Sequence, residues 1–200
     1  MLAVFRELDR RGVPVSRLDA LELFGGDGSR HTLDYYPLVQ SVEIWEVDGA
    51  YEPEIRRNLP GARIKITDSF QELHRSQHTF ELIVVDSPGG LFGPEMQYCE
   101  HMEAFTPALF RLARKSAVLI LSVFPDLRGM KSCSPEHRQR LQRRSEFYCA
   151  ADPEYVDIDQ MMPVYRSIAN SAGFEVNWHF SLRRTRRSKV YYLAMNVTCN

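Results

Sequence analysis

The stretch Ala20–Thr32, ALELFGGDGSRHT, decides the fold. Residues 18–24 form a short apolar run that stops at glycines, which reads as a buried strand entering a tight turn. Turns of this kind cradle nucleotides, because small residues let a ligand lie against the backbone and the next helix N-terminus attracts anions. The dinucleotide form, GxGxxG, is incomplete here. Gly26 and Gly28 supply two glycines, but His31 stands at the third position. Glu22 before the turn and Asp27 within it would repel a pyrophosphate. The turn therefore suits a cationic ligand without phosphate better than a dinucleotide.

Outward from this turn, strand-like and helix-like runs alternate. Leu2, Val4, Phe5 and Leu8 recur at helical spacing and Gly12 ends that helix. Strands are expected at 18–24, 41–48, 62–68, 80–88 and 116–125, with helices between them at 29–36, 51–61, 69–78 and 96–115, the last bent at Pro107. Alternation of this kind implies crossover connections and a parallel sheet covered on both faces. The continuous apolar runs FELIVVDSP and SAVLILSVFP suit central strands. A helix over 157–173 leads into two further strands, 173–182 and 189–198, joined by RRTRRS as a hairpin. The expected architecture is one three-layer α/β domain over 1–200, Rossmann-like, with a mostly parallel seven-stranded sheet and an antiparallel C-terminal hairpin strand. Residues 126–158 form an insertion. Its helix starts with Ser134 as N-cap and Pro135 at the first helical position, and it is expected to sit lid-like over the carboxyl edge of the sheet.

Composition sets outer bounds. The chain has 200 residues, 44% hydrophobic and 26% charged, with net charge -1. This is the make-up of a globular domain and not of a general polyanion coat. The four cysteines (Cys99, Cys133, Cys149, Cys199) form no CxxC pair, so free thiols are expected rather than a zinc site or disulfide framework. The longest apolar run is too short to span a bilayer, and the first residues lack the apolar core of a signal peptide. A cytoplasmic protein without membrane contact is the expectation.

Carboxylates close consecutive strands on the same edge. Glu46 ends the second expected strand, 20 positions after Gly26, where an acid can take both ribose hydroxyls. Asp68, followed by Ser69 and Phe70, ends the third and can accept from an adenine amino group. Asp86 ends the fourth. Asp48 reads as the cap of the following helix. With the glycine turn, these acids suit S-adenosylmethionine, whose sulfonium and ammonium are both positive.

At this point the sequence resembles the class I S-adenosylmethionine-dependent methyltransferases. ALELFGGDG is similar to their first motif, in the variant with Phe24 where the first glycine is usual. IWEVD, ITDSF and FELIVVDSP resemble the second, third and fourth, and the terminal hairpin matches the antiparallel strand the class adds. The likeness covers roughly 15–125 and 165–198. It implies that Gly25, Gly26 and Gly28 line the methionine part of the cofactor and that Glu46 holds the ribose. By the same likeness Val47 packs on the adenine, Asp68 and Ser69 meet its amino edge, and Glu22 orients the loop and the methionine amine. DSPGG departs from the DPPY and NPPY of amino-group nucleic-acid methyltransferases, and Cys99 lacks the Pro-Cys context of the cytosine-C5 enzymes. Asp86 and Asp126 do not complete a metal set, so no metal is expected. VVDSPGG also resembles the spermidine synthase family.

Asp86, His101 and Glu100 are the candidate catalytic bases. His31 is either a site residue or an ordinary half-buried histidine. Arg183, Arg184, Arg186 and Arg187 are candidate substrate contacts, and a solvated, charge-protected hairpin is the competing reading. Arg140 and Arg144 share a helix face and either support an anionic substrate or belong to a charged exposed helix. The leading expectation is methyl transfer to a small-molecule or anionic acceptor. RNA or DNA methylation through the 183–189 hairpin, aminopropyl- or aminocarboxypropyl-type transfer, and a non-catalytic module of the same fold stand as alternatives. The number of subunits is left open.

Overall fold

The computed structural model describes residues 1–86, 91–92, 98–99, 102, 104–129 and 135–200. Its sheet contains β1 (Asp19–Leu23), β2 (Ser41–Glu46), β3 (Arg63–Ile66), β4 (Phe80–Val85), β7 (Ala113–Val123), β8 (Phe174–Arg183) and β9 (Tyr191–Cys199). The order across it is β3-β2-β1-β4-β7-β9-β8. β1 to β4 and β7 pair in parallel, while β9 runs against both β7 and β8. This is the expected seven-stranded sheet with one reversed strand from the C-terminal hairpin. A separate ribbon joins β5 (Leu91–Phe92) to β6 (Tyr98–Cys99).

Strand period two explains the layers. Leu21, Leu23, Ile83, Val85, Leu119, Leu121, Leu193 and Met195 point to one face, against α7 (Ile158–Ser171) and its neighbours. Ala20, Leu82, Val84, Val118, Ile120, Tyr192 and Ala194 point to the other, against α1 (Leu2–Arg10), α2 (His31–Tyr35) and α3 (Glu52–Asn58). The α1 stripe buries Val4, Phe5 and Leu8 while Leu2 remains exposed. Gly12 takes φ +78° just past the helix, the conformation for which glycine costs least. α7 opens with a capping box between Asp157 and Gln160.

The helix expected at 96–115 does not form. Among the described residues, β6 takes 98–99, a one-turn helix α5 covers Pro107–Phe110, and 113–115 already belong to β7. Thr106 accepts from the Ala108 N–H and restarts the chain at Pro107. Pairing with β4 then draws residues from 113 onward into the sheet, so tertiary hydrogen bonding overrides the helix-forming composition of LFRLARK.

The insertion is closed at its base. Leu127 donates to the Glu154 carbonyl and Val156 to that of Pro125, just beyond β7. Its helix α6 (Pro135–Tyr148) begins at Pro135 as expected; Ser134 and Cys133 lie outside the described residues. The Tyr148 and Tyr165 hydroxyls meet at 2.8 Å and tie α6 to α7. Arg140 and Arg144 are buried. Arg140 lies over the Phe124 ring, and Arg144 lies over Tyr148 while its Nε donates to the Pro153 carbonyl. Their shared face turns inward, which overturns the exposed-helix reading. Among the described residues no helix is long and apolar enough to cross a membrane.

Candidate functional site

Strand order reverses between β1 and β4, and the carboxyl ends of neighbouring strands diverge there into a crevice. The turn after β1 forms one wall. Phe24 opens it at φ +66°, a strained region for a bulky residue, with its ring 5.2 Å from that of Phe70. Gly25 donates to the Trp45 carbonyl at 3.0 Å. Gly26 has φ +54°, and a Cβ there would meet nothing within 4 Å, so the backbone faces open space. Gly28 (φ +69°) packs closely on Leu59. Asp27 is used on loop shape: its carboxylate accepts from the Ser29 N–H and hydroxyl, and the backbone bond holds its pKa below the ordinary carboxylate value.

Glu46 at the end of β2 stands directly behind this turn. One carboxylate oxygen accepts from Gly26 N–H at 2.6 Å and the other from Asp48 N–H at 2.9 Å. Two of its roughly four lone-pair positions stay available. Beyond it, Val47 (69% exposed) and Ile66 (41%) leave apolar surface at the ends of β2 and β3. Asp48 caps the next turn, accepting from Ala50 N–H as expected. Asp68 likewise caps α4 (Ser69–Glu72) through Phe70 N–H and also meets Gln71 Nε2, while Ser69 is buried.

Glu22 lies in β1, beneath the turn. It accepts from Thr32 Oγ1 at 2.6 Å and from the Tyr35 hydroxyl, tying α2 to the sheet. Burial pushes its pKa up to about 7 against the lowering effect of these bonds, and the Asp86 charge adds to the rise. A group raised in the folded state contributes stability that is fully present below its unfolded pKa and lost as pH rises through the folded one. Glu22 therefore removes roughly 3 kcal/mol between about pH 4.5 and pH 7, and nothing further above. Urea denaturation at about pH 5 and pH 8 should show this loss, and Glu22→Gln should flatten it. A flat wild-type profile over that window would contradict the buried carboxyl.

The third part of the site comes from the same face of three strands. Asp86 and Ser122 follow Val84 and Ile120 by one pleat, and Tyr192 precedes Ala194 by one in the antiparallel β9, which aligns the three across β4, β7 and β9. Ser122 Oγ donates to Asp86 Oδ1. His31, at the start of α2, places Nε2 2.9 Å from Asp86 Oδ2 and Nδ1 2.7 Å from the Tyr192 hydroxyl. Arg184 reaches in from the hairpin, its Nη1 3.8 Å from Asp86 Oδ1 and its Nη2 against His31 Nε2. Burial acts to raise the Asp86 pKa, but His31, Ser122 and Arg184 overcome it and hold the carboxyl below its ordinary value.

Of the four hairpin arginines, Arg184 alone enters this cluster. Arg183 bonds the Tyr191 hydroxyl, and Arg186 and Arg187 are exposed. Glu100 and His101 lie outside the described residues. Among the described residues no three His, Cys, Asp or Glu side chains converge as a metal set. Tyr192 was not among the sequence-derived site residues, and His31 was left open between a site residue and an ordinary half-buried histidine. The one available signal was the position of His31 where the third glycine of a dinucleotide turn would stand.

This sheet order is that of the class I S-adenosylmethionine-dependent methyltransferase fold. The chain is similar to the N-methyltransferase NodS from Bradyrhizobium japonicum WM9 in complex with S-adenosyl-L-homocysteine (11% identity, 97% of this chain and 86% of that one, TM-score 0.55). It is similar also to the ribosomal protein L11 methylase from Lactobacillus delbrueckii subsp. bulgaricus (14%, 100% and 77%, 0.54). A third likeness is to M. jannaschii TYW2 in complex with AdoMet (8%, 98% and 76%, 0.54). At such identities the likeness is one of fold. No protein-family model and no curated protein matches the sequence.

Proposed function

We propose that this chain is a single-domain methyltransferase that binds S-adenosylmethionine over the β1–β4 crevice and acts on a small or anionic acceptor. The observation that carries this reading is the open backbone at Gly26, bonded from behind by the Glu46 carboxylate. A Cβ-free surface backed by an anion suits a cationic nucleoside. Gly25, Gly26 and Gly28 line the methionine part, Glu46 takes the ribose hydroxyls, and Val47 with Ile66 covers the adenine. Asp68 and Ser69 stand at the adenine amino edge. S-adenosylmethionine, when bound, supplies the electrophilic methyl group. The chain positions the acceptor's nucleophile and receives its proton, for which Asp86 at the end of β4 is the candidate base.

Calorimetry with S-adenosylhomocysteine tests the cofactor reading: stoichiometric binding is expected, and none would remove it. A second reading, RNA methylation, rests on the hairpin, where Arg183, Arg186, Arg187 and Lys189 are all exposed. If this hairpin holds RNA, affinity for an RNA oligomer falls steeply with salt; salt-independent or absent binding leaves the small acceptor.

A further inference from the structure

Asp86 is more buried than a solvated carboxylate should be. Its side chain is only 6% exposed. Oδ1 receives Ser122, but Oδ2 accepts no hydrogen bond from any described residue. His31 Nε2 is within ion-pair distance of Oδ2 without the alignment of a hydrogen bond. An N–H donor that reaches this oxygen with good alignment gains a charge-assisted hydrogen bond.

Arg184 adjoins it with the opposite charge. Its side chain is 28% exposed, and its guanidinium touches Asp86 and His31 and lies over the Tyr192 ring. Asp86 already interacts with His31 and Ser122, so a single carboxylate is shared among several donors. The fork of five N–H groups on an arginine exceeds the contacts made here. The hairpin around it carries Arg183, Arg186, Arg187 and Lys189, so a second anion is electrostatically favoured on the outer side of Arg184.

Resting on the methyltransferase reading, we propose that Asp86 and Arg184 are a matched pair that selects a small zwitterionic acceptor. Its amino group donates to Asp86 Oδ2, and its carboxylate or phosphate binds Arg184. The amine is thereby held by the carboxylate at the crevice. Arg184 Nη1 lies 3.8 Å from Asp86 Oδ1, so the two side chains are close enough for one small molecule to meet both. Only one of the hairpin arginines reaches Asp86, which favours a small molecule over a nucleic acid. His31, anchored by Tyr192, is a positioning residue that keeps Asp86 turned into the crevice.

The test uses the full chain with and without S-adenosylhomocysteine. The His31 imidazole resonances, assigned by their loss in His31→Asn, are followed by NMR while β-alanine, phosphoethanolamine, ethylamine or acetate is added. The two zwitterions should shift His31 saturably and the single-charge probes should not. Carboxylate and phosphate sources are told apart by which zwitterion binds more tightly. Arg184→Gln should weaken the zwitterion roughly tenfold or more and leave S-adenosylhomocysteine affinity unchanged, while Arg57→Gln on α3 changes neither. Asp86→Asn should abolish the response to both zwitterions while melting near the wild-type temperature; if it unfolds, the Arg184 result decides alone. Equal response to ethylamine or acetate, or a response that survives Arg184→Gln, overturns the pair. So does loss of S-adenosylhomocysteine affinity in Arg184→Gln, which would put the pair on the cofactor's methionine. A His31 response to an RNA oligomer that depends on Arg186 and Arg187 also overturns it. Failure of S-adenosylhomocysteine to bind removes the cofactor reading instead, and the zwitterion titration of the free protein still reads the pair.

Discussion

Glu46→Ala should weaken S-adenosylhomocysteine binding by roughly a hundredfold or more while the protein still folds. Hydrogen bonds to a charged partner contribute about 1.5–3 kcal/mol each, and a ribose offers two hydroxyls to the free lone pairs of this carboxylate. Losing both is worth about two decades or more in affinity. The change also deprives Gly26 and Asp48 N–H of their acceptor. That loosens the turn, but both groups lie at the crevice where water can replace the carboxylate, so the stability cost should stay near 1–2 kcal/mol. Glu46→Gln separates the two effects. Its amide oxygen can accept from one backbone N–H, but its NH₂ group faces the other donor, so affinity falls nearly as far as in Glu46→Ala. Calorimetry and thermal melting on the same samples give both numbers. Unchanged affinity in both variants would remove Glu46 from the cofactor site.

What was legible in the sequence follows from how local each signal is. The glycine turn and the acids at strand ends are short-range features, and short apolar runs bounded by turn signals indicated every strand of the main sheet. The boundaries moved where pairing decides them, as at residues 113–115, where β4 captures a segment whose composition favours a helix. The cluster around Asp86 was not legible as a unit. His31 and Tyr192 are 161 positions apart, and His31 and Arg184 are 153 apart. They meet only because the register sets Ser122 opposite Tyr192 and Val85 opposite Leu121. Nothing in a local window encodes that register. The α6 arginines failed for another reason: an arginine-rich helix reads as solvated, yet a guanidinium can be buried when an aromatic ring and a carbonyl meet it, as at Arg144. Glu22 was read as orienting the loop and the methionine amine; it lies in β1, and its partners Thr32 and Tyr35 place it below the loop, where it fastens α2.

Gly25→Ala and Gly26→Ala should differ in kind, although the residues are adjacent. A Cβ at Gly25 would lie 2.1 Å from Ile44 Cγ2. That methyl sits on a β-branched side chain buried in β2, with no rotamer to retreat into. The loop must move instead, breaking the Gly25 N–H bond to Trp45 and carrying Gly26 off Glu46. Overpacking of this sort costs about 1–3 kcal/mol, and the lost bond adds roughly 1 more. Gly25→Ala should therefore lower both stability and S-adenosylhomocysteine affinity. At Gly26 there is space for the methyl, and the cost is the strain of a left-handed backbone, about 1–2 kcal/mol. The methyl would nevertheless occupy the surface on which the cofactor is proposed to lie. Gly26→Ala should thus melt only a few degrees below wild type yet bind S-adenosylhomocysteine at least tenfold more weakly. The pair of variants separates loop architecture from ligand contact: if Gly26→Ala binds like wild type, the open face at Gly26 is not where the cofactor sits. If Gly25→Ala is as stable as wild type, Ile44 has more freedom than its burial allows.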